Sequence, residues 1–193
     1  VQALSELVLS GGTLMVNNVA AADGGGVHSQ SQARVTVTDR TMVSNNSALR
    51  GGGIFGITST VTISHFAQIE GNTAREGGGG GVFLSDGDTG RGSLLLKENA
   101  VVTSNIAKRG KGGGIMTTGI TQVLVSRSRL SRNVAEMEDG GGLAAVNCIV
   151  RLDDATVDGN VAGEGDGGGL HIEQTSKATD IAHQRKVTLS RAV

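Results

Sequence analysis

Three short signals recur along this chain in a fixed order, and a chain that repeats itself at such a period must stack its copies rather than fold around one private core. The triplet Asn-x-Ala begins at Asn18, Asn46, Asn72, Asn105, Asn133 and Asn160, at intervals of 28, 26, 33, 28 and 27 residues. Eight to ten residues after each asparagine stands an aliphatic residue preceded by Gly-Gly-Gly: Val27, Ile54, Val82, Ile115, Leu143 and Leu170. Three residues before each asparagine is another apolar side chain: Met15, Val43, Ile69, Val102, Leu130 and Val157. Each unit opens on a short alternating segment, as in Val35-Thr36-Val37 and Val61-Thr62-Ile63, and a seventh copy starts at Val187-Thr188-Leu189.

Each unit therefore holds three short β segments separated by turns, and no window carries a helical period. Strands this short cannot bury a face alone, whereas stacked copies share one continuous core. The fold expected is all-β: a right-handed parallel β-helix of six coils of ~28 residues with a seventh begun, rising ~4.8 Å per rung. Residues 1–193 form a single β-helix segment, expected to be a fragment of a longer protein. Loops 85–93 and 173–186 are insertions beyond the repeat. Leucine-rich repeats share the period but need a Leu-x-x-Leu-x-Leu pattern that is absent here.

Composition agrees with a solenoid core of aliphatic side chains. Glycine takes 32 positions, proline, tryptophan and tyrosine are absent, and only three phenylalanines occur. The glycines cluster at fixed intervals, which excludes collagen and flexible linkers. A net charge of −1 without a basic block points away from nucleic acid. No stretch is long and apolar enough for a membrane-spanning helix.

The glycines and asparagines have physical tasks at the corners. Glycine adopts φ > 0 and lets backbone pass close to backbone. Asparagine tolerates the left-handed region and bonds nearby main chain. Aligned in successive rungs, Asn18, Asn46, Asn72, Asn105, Asn133 and Asn160 are expected to form a structural ladder.

The combination of Asn-x-Ala with Gly-Gly-Gly-aliphatic resembles the repeats of chlamydial polymorphic outer-membrane proteins, whose paired signatures are Gly-Gly-Ala-Ile and Phe-x-x-Asn. The resemblance runs the length of the chain and departs in detail. Glycine replaces the signature alanine, and the phenylalanine position holds aliphatic or other residues, with Phe66 standing six before Asn72. Similar repeats occur in large surface proteins of other bacteria and of protists. The resemblance implies a pectin-lyase-like β-helix engaged in surface adhesion or scaffolding, and it carries over no catalytic residue.

Chemistry was sought column by column, since alternate residues of a strand face opposite ways. The outward column of the first strand reads Val8, Thr36, Thr62, Leu95, Leu124, Arg151 and Thr188, without a carboxylate. A glycosidase needs two carboxyl groups on either side of the bond it cleaves. The outward column of the last strand reads His28, Phe55, Phe83, Met116, Ala144 and His171. Phe55, Phe83 and Met116 make a contiguous apolar stripe, the expected interface.

Carboxylates gather instead in the turns before the glycine triplets. Glu136, Glu138 and Asp139 lie one coil from Glu164 and Asp166, a candidate Ca²⁺ site, although ion pairs with the basic turn at 108–111 are the plainer reading. Asp86-Gly87-Asp88-Thr89-Gly90 has a faint calcium-loop pattern. Asn45-Asn46-Ser47 is a glycosylation sequon with Asn45 as acceptor. No cofactor is expected apart from such a Ca²⁺.

The function expected is a non-enzymatic structural or adhesive segment of a large extracellular or cell-surface protein. Its partners would be other segments or subunits of a surface assembly, or a host or matrix ligand, with no nucleic acid. The alternative is a carbohydrate-active lyase or hydrolase whose site lies in the inserted loops or in other parts of the protein.

Overall fold

Val, Ile and Leu at every second position of the opening segments leave one face of each strand apolar, and the chain buries that face by winding it around an axis. The computed structural model describes residues 5–87, 92–119, 122–175 and, for backbone alone, 187–190. It is a parallel β-solenoid of about six turns in which each strand pairs with its counterpart one coil away. The first sheet stacks seven strands: Glu6–Leu9, Arg34–Val37, Thr60–Ile63, Ser93–Leu96, Gln122–Ser126, Ile149–Asp153 and Val187–Ser190. The second stacks six, from Leu14–Val16 to Thr156–Asp158, and the last stacks six, from Val27–Ser29 to Leu170–Glu173.

A further sheet joins the three strands expected in each coil. It is built from five two-residue strands, Ser47–Ala48, Thr73–Ala74, Ile106–Ala107, Val134–Ala135 and Val161–Ala162. These are the second and third residues of Asn-x-Ala. The alanine points inward and is fully buried at Ala48, Ala74, Ala107 and Ala135, where the corner has no room for more than a methyl group.

Register is unbroken. Val35 pairs with Val61, Val61 with Leu94, Leu94 with Val123 and Val123 with Val150, all buried. Together with the columns through Val43, Ile69, Val102 and Leu130 and through Ile54, Val82, Ile115 and Leu143 they form one aliphatic core along the axis. None of the three phenylalanines belongs to it.

The corner between the first and second sheets changes along the axis. In coils two to four it is a tight turn with two consecutive residues at positive φ: Asp39 and Arg40 (55° and 58°), His65 and Phe66 (50° and 62°), Glu98 and Asn99 (56° and 64°). The N–H groups of Thr41, Ala67 and Ala100 donate back three residues, to the carbonyls of Thr38, Ser64 and Lys97. This is the type I′ geometry. In the next two coils the corner is one residue shorter, and only Arg127 (46°) and Asp154 (51°) have positive φ.

The 33-residue interval is taken up by the insertion at 85–93, of which 88–91 lie outside the described residues, and so does most of the second insertion, 176–186.

Candidate functional site

The asparagine column is a continuous hydrogen-bonded ladder. From Asn46 to Asn160 each Oδ1 accepts two bonds from the asparagine of the coil before it. Asn72 donates to Asn105 Oδ1 through its backbone N–H (3.0 Å) and its Nδ2 (2.9 Å). Asn105 donates in the same way to Asn133 Oδ1 (3.1 and 3.0 Å). The pairs Asn18 with Asn46, Asn46 with Asn72, and Asn133 with Asn160 repeat the pattern. The second Nδ2 hydrogen closes on a main-chain carbonyl of the preceding coil, as from Asn105 to Ile69 O at 2.9 Å. The amides at Asn46, Asn72, Asn105 and Asn133 are buried with their bonding capacity used, so they are cohesive groups and not a reactive site.

One glycine triplet stands for the five that have a further Asn-x-Ala strand packed against them. Gly112 has φ +70°, the left-handed turn into the last sheet. A Cβ on Gly113 would lie 2.3 Å from the carbonyl carbon of Val134, because the short Asn-x-Ala strand of the next coil passes against it. A Cβ on Gly114 would meet Asn133 Cγ at 2.8 Å, so the third glycine makes room for the ladder.

The apolar stripe is contiguous, but its two phenylalanine rings are covered and Met116 is half-buried, which corrects the expected interface. His28, Phe55, Phe83 and Met116 are in register. The rings of Phe55 and Phe83 stack at 5.2 Å, and His28 meets Phe55 edge-on at 5.1 Å. Phe55 is 1% exposed and Phe83 7%. The left-handed glycine turns fold the preceding corner back over this face. The Arg50 guanidinium lies 4.9 Å from the Phe55 ring centre and 5.5 Å from that of Phe83. Gly78 packs on Met116, where a Cβ would be 2.9 Å from Cγ. Arg50 is fixed in turn by a two-pronged bond to Asp23, at 2.9 and 2.7 Å.

The acidic turns do not converge on a cation. Among the described residues no group of three or more His, Cys, Asp or Glu side chains is placed to hold a metal. Glu136, Glu138, Glu164 and Asp166 are exposed. Asp139 is committed elsewhere: its Oδ2 pairs with Lys111 Nζ at 2.7 Å, and its Oδ1 accepts the N–H of Asp166 at 2.8 Å. Lys111 also reaches Glu173 at 3.0 Å, so one ammonium ties three coils together. Those bonds hold the Asp139 and Glu173 carboxyls below the usual carboxylate range and raise Lys111. His171 Nε2 lies beside the same two carboxylates, at 3.5 and 3.6 Å.

Asn45 is exposed, with φ 53°, beside the buried Asn46. On the outward face of the first sheet, Thr36, Thr62, Leu95 and Leu124 are half-buried and Val8 and Arg151 exposed.

The first corner carries groups that lie outside the repeat signature. His65 Nδ1 lies 3.1 Å from Glu98 Oε2, 3.1 Å from Ser64 Oγ and 3.2 Å from Thr38 Oγ1. A nucleophile relay needs hydroxyl and carboxylate on opposite ring nitrogens. Here all three share one, and the cluster pins the corner. Phe66, next in the chain, is 52% exposed, with the Arg40 guanidinium 5.9 Å from its ring centre. Beyond Asn99, where the corner shortens, a groove of about 400 Å³ opens, lined by Val101, Arg127, Ser128, Arg129 and Asp154 among others. Arg129 is held by Asp158 through bonds of 2.9 and 2.6 Å, which keep that carboxyl below its usual range. The sequence signal for this site was the change in corner length and the one phenylalanine in a slot otherwise held by Gly12, Arg40 and Asn99.

The fold and its corners define a parallel β-solenoid with a glycine and asparagine corner code. Comparison with family models, with curated proteins and with solved structures gives no match for this chain. Among the described residues no helix is long and apolar enough to cross a membrane.

Proposed function

We propose that this chain is a non-enzymatic structural and adhesive segment of a large extracellular or cell-surface protein, a stiff scaffold carrying interaction surfaces within a larger assembly. The observation that carries this reading is the ladder from Asn18 to Asn160, which runs beside the aliphatic core without a break in register. Buried polar groups that are fully satisfied make a structure rigid and unique. Five carboxylates are spent on ties between coils: Asp23 with Arg50, Glu76 with Arg109, Asp139 and Glu173 with Lys111, Asp158 with Arg129. The resemblance to surface-protein repeats points the same way.

Antibodies against the full chain are expected to label intact cells of the source organism. Labelling that appears only after permeabilisation would overturn the surface assignment. Beads coated with the chain are expected to be retained on the partner surface, whereas turnover of a polysaccharide by the same preparation would replace the scaffold with an enzyme.

A further inference from the structure

We infer that the first corner is a glycan-binding strip, along which an acidic oligosaccharide lies from the Phe66 ring to the Arg127 guanidinium. The inference rests on the adhesive reading above and supplies the chemical class of its ligand.

Phe66 is the anomaly that starts the argument. It occupies the third position of a type I′ turn at φ 62°, where a bulky side chain is strained, and the same slot in neighbouring coils holds Gly12, Arg40 and Asn99. The ring gains little burial in return, since it is half exposed with the guanidinium of Arg40 beside it. Backbone strain and an exposed aromatic therefore coincide in one residue that the fold does not need. Such outliers concentrate at ligand sites. An aromatic face open to water on a polar surface suits a partner with a C–H face and hydroxyl edges, which describes a pyranose ring.

The surface continues in the direction of the axis. Asn99 follows Phe66 in the same slot, exposed, with an amide able to serve sugar hydroxyls. The groove comes next, where the shortened corner of the following coil recedes beneath Asn99 and Val101. Arg127 stands in it exposed, at φ 46°, and makes no ion pair among the described residues. Its neighbour Arg129 is neutralised by Asp158, and Glu98 lies beside His65 (3.1 Å) and Lys97 (3.7 Å). Within the groove, among the described residues, Arg127 is thus an open cation suited to a carboxylate or a sulfate, while Asp154 on the groove wall accepts hydroxyls. Phe66 and Arg127 are two rungs apart, about 10 Å, a span that two sugar rings cover.

A peptide adding a strand would need free main-chain groups. On this strip they are already used between coils: the N–H of Phe66 donates to Glu98 O, that of Asn99 to Arg127 O and that of Arg127 to Asp153 O. A ligand meets side chains alone, which favours a glycan.

The test is isothermal titration of the full chain with three defined hexasaccharides: an oligogalacturonate, a heparin-derived fragment and neutral cellohexaose. At least one acidic ligand is expected to bind with unit stoichiometry and clear preference over the neutral chain. Phe66→Asn keeps a turn that Asn99 already makes and is expected to weaken binding at least about tenfold, equivalent to ~1.4 kcal/mol. Phe66→Trp is expected to preserve binding, and Arg127→Gln to abolish the preference for acidic over neutral ligand. Binding unchanged in Phe66→Asn and Arg127→Gln, or equal binding of cellohexaose, would overturn the strip. A chain that labels intact cells yet binds none of the three sugars overturns the strip and leaves the scaffold standing.

Discussion

Asn105 and Asn133, 28 residues apart in sequence, are joined twice over, because the backbone N–H and the side-chain amide of the first both donate to one oxygen of the second, at 3.1 and 3.0 Å. Removing such a group strands partners on both sides. Asn105→Ala leaves both donors of Asn72 and the carbonyl of Ile69 unmatched in a buried corner, and Asn133 Oδ1 keeps the backbone N–H alone; about 3 kcal/mol of stability is expected to be lost. Asn18→Ala, at the exposed end of the ladder, is expected to cost under about 1 kcal/mol. Urea unfolding of both variants measures the difference, and equal costs would show that the ladder adds nothing through its depth.

The glycines separate into those needed for space and those needed for conformation. Gly113→Ala forces a methyl group to 2.3 Å from Val134 main chain. A loss of about 3 kcal/mol or more is expected, or failure to fold. Gly11 has φ +64° with nothing within 4 Å of its added Cβ. Gly11→Ala is expected to cost only the left-handed penalty of about 1 kcal/mol. Thermal melts of the two variants check the ranking.

Arg50 acts as a lid on the paired phenylalanine rings more than as a charge. Arg50→Ala is expected to destabilise by about 1–2 kcal/mol and to raise binding of a hydrophobic dye. Asp23→Asn removes the ion pair but leaves the guanidinium over the rings, at a cost below about 1 kcal/mol. Dye fluorescence that rises equally in both variants would assign the effect to charge.

Acid sensitivity at the last coils is expected to depend on Lys111. Its ammonium holds Asp139 and Glu173 below the ordinary carboxylate range. Groups depressed in the folded state contribute stability that is complete above their unfolded values, near pH 4, and is lost as pH falls through the folded ones. In Lys111→Met that contribution disappears, and the midpoint of acid unfolding, followed by circular dichroism, is expected at higher pH. An unchanged midpoint would remove Lys111 from the account.

Much of this architecture was legible before any coordinates. Val61, Leu94 and Val123 face inward because a two-residue alternation allows one apolar face, and their spacing by one coil gives the register. The asparagine and glycine positions carried their own explanation in backbone chemistry. The short strands at Thr73–Ala74 and Ile106–Ala107 were not legible, because two residues are too few to alternate. The covering of Phe55 and Phe83 was hidden for another reason: it depends on the path of the corner around Arg50 and Gly78, set by backbone angles three residues away. The acids at 136–139 and their pairing with the basic turn at 108–111 were visible, and Asp139 does turn to Lys111 one coil back; the further reach of Lys111 to Glu173 was not. The first corner escaped notice because aligning coils on the asparagine leaves the missing residue in a turn, where repeats commonly vary.

That missing residue has a consequence for the whole rod. A solenoid with identical coils looks the same after every shift by one rung, so a long ligand has many equivalent places to settle and can slide among them. Among the described first corners the turn changes length once, between Asn99 and Arg127, and the lining of the groove differs above and below that break. A polymer lying along this edge would meet a single origin from which its position is counted.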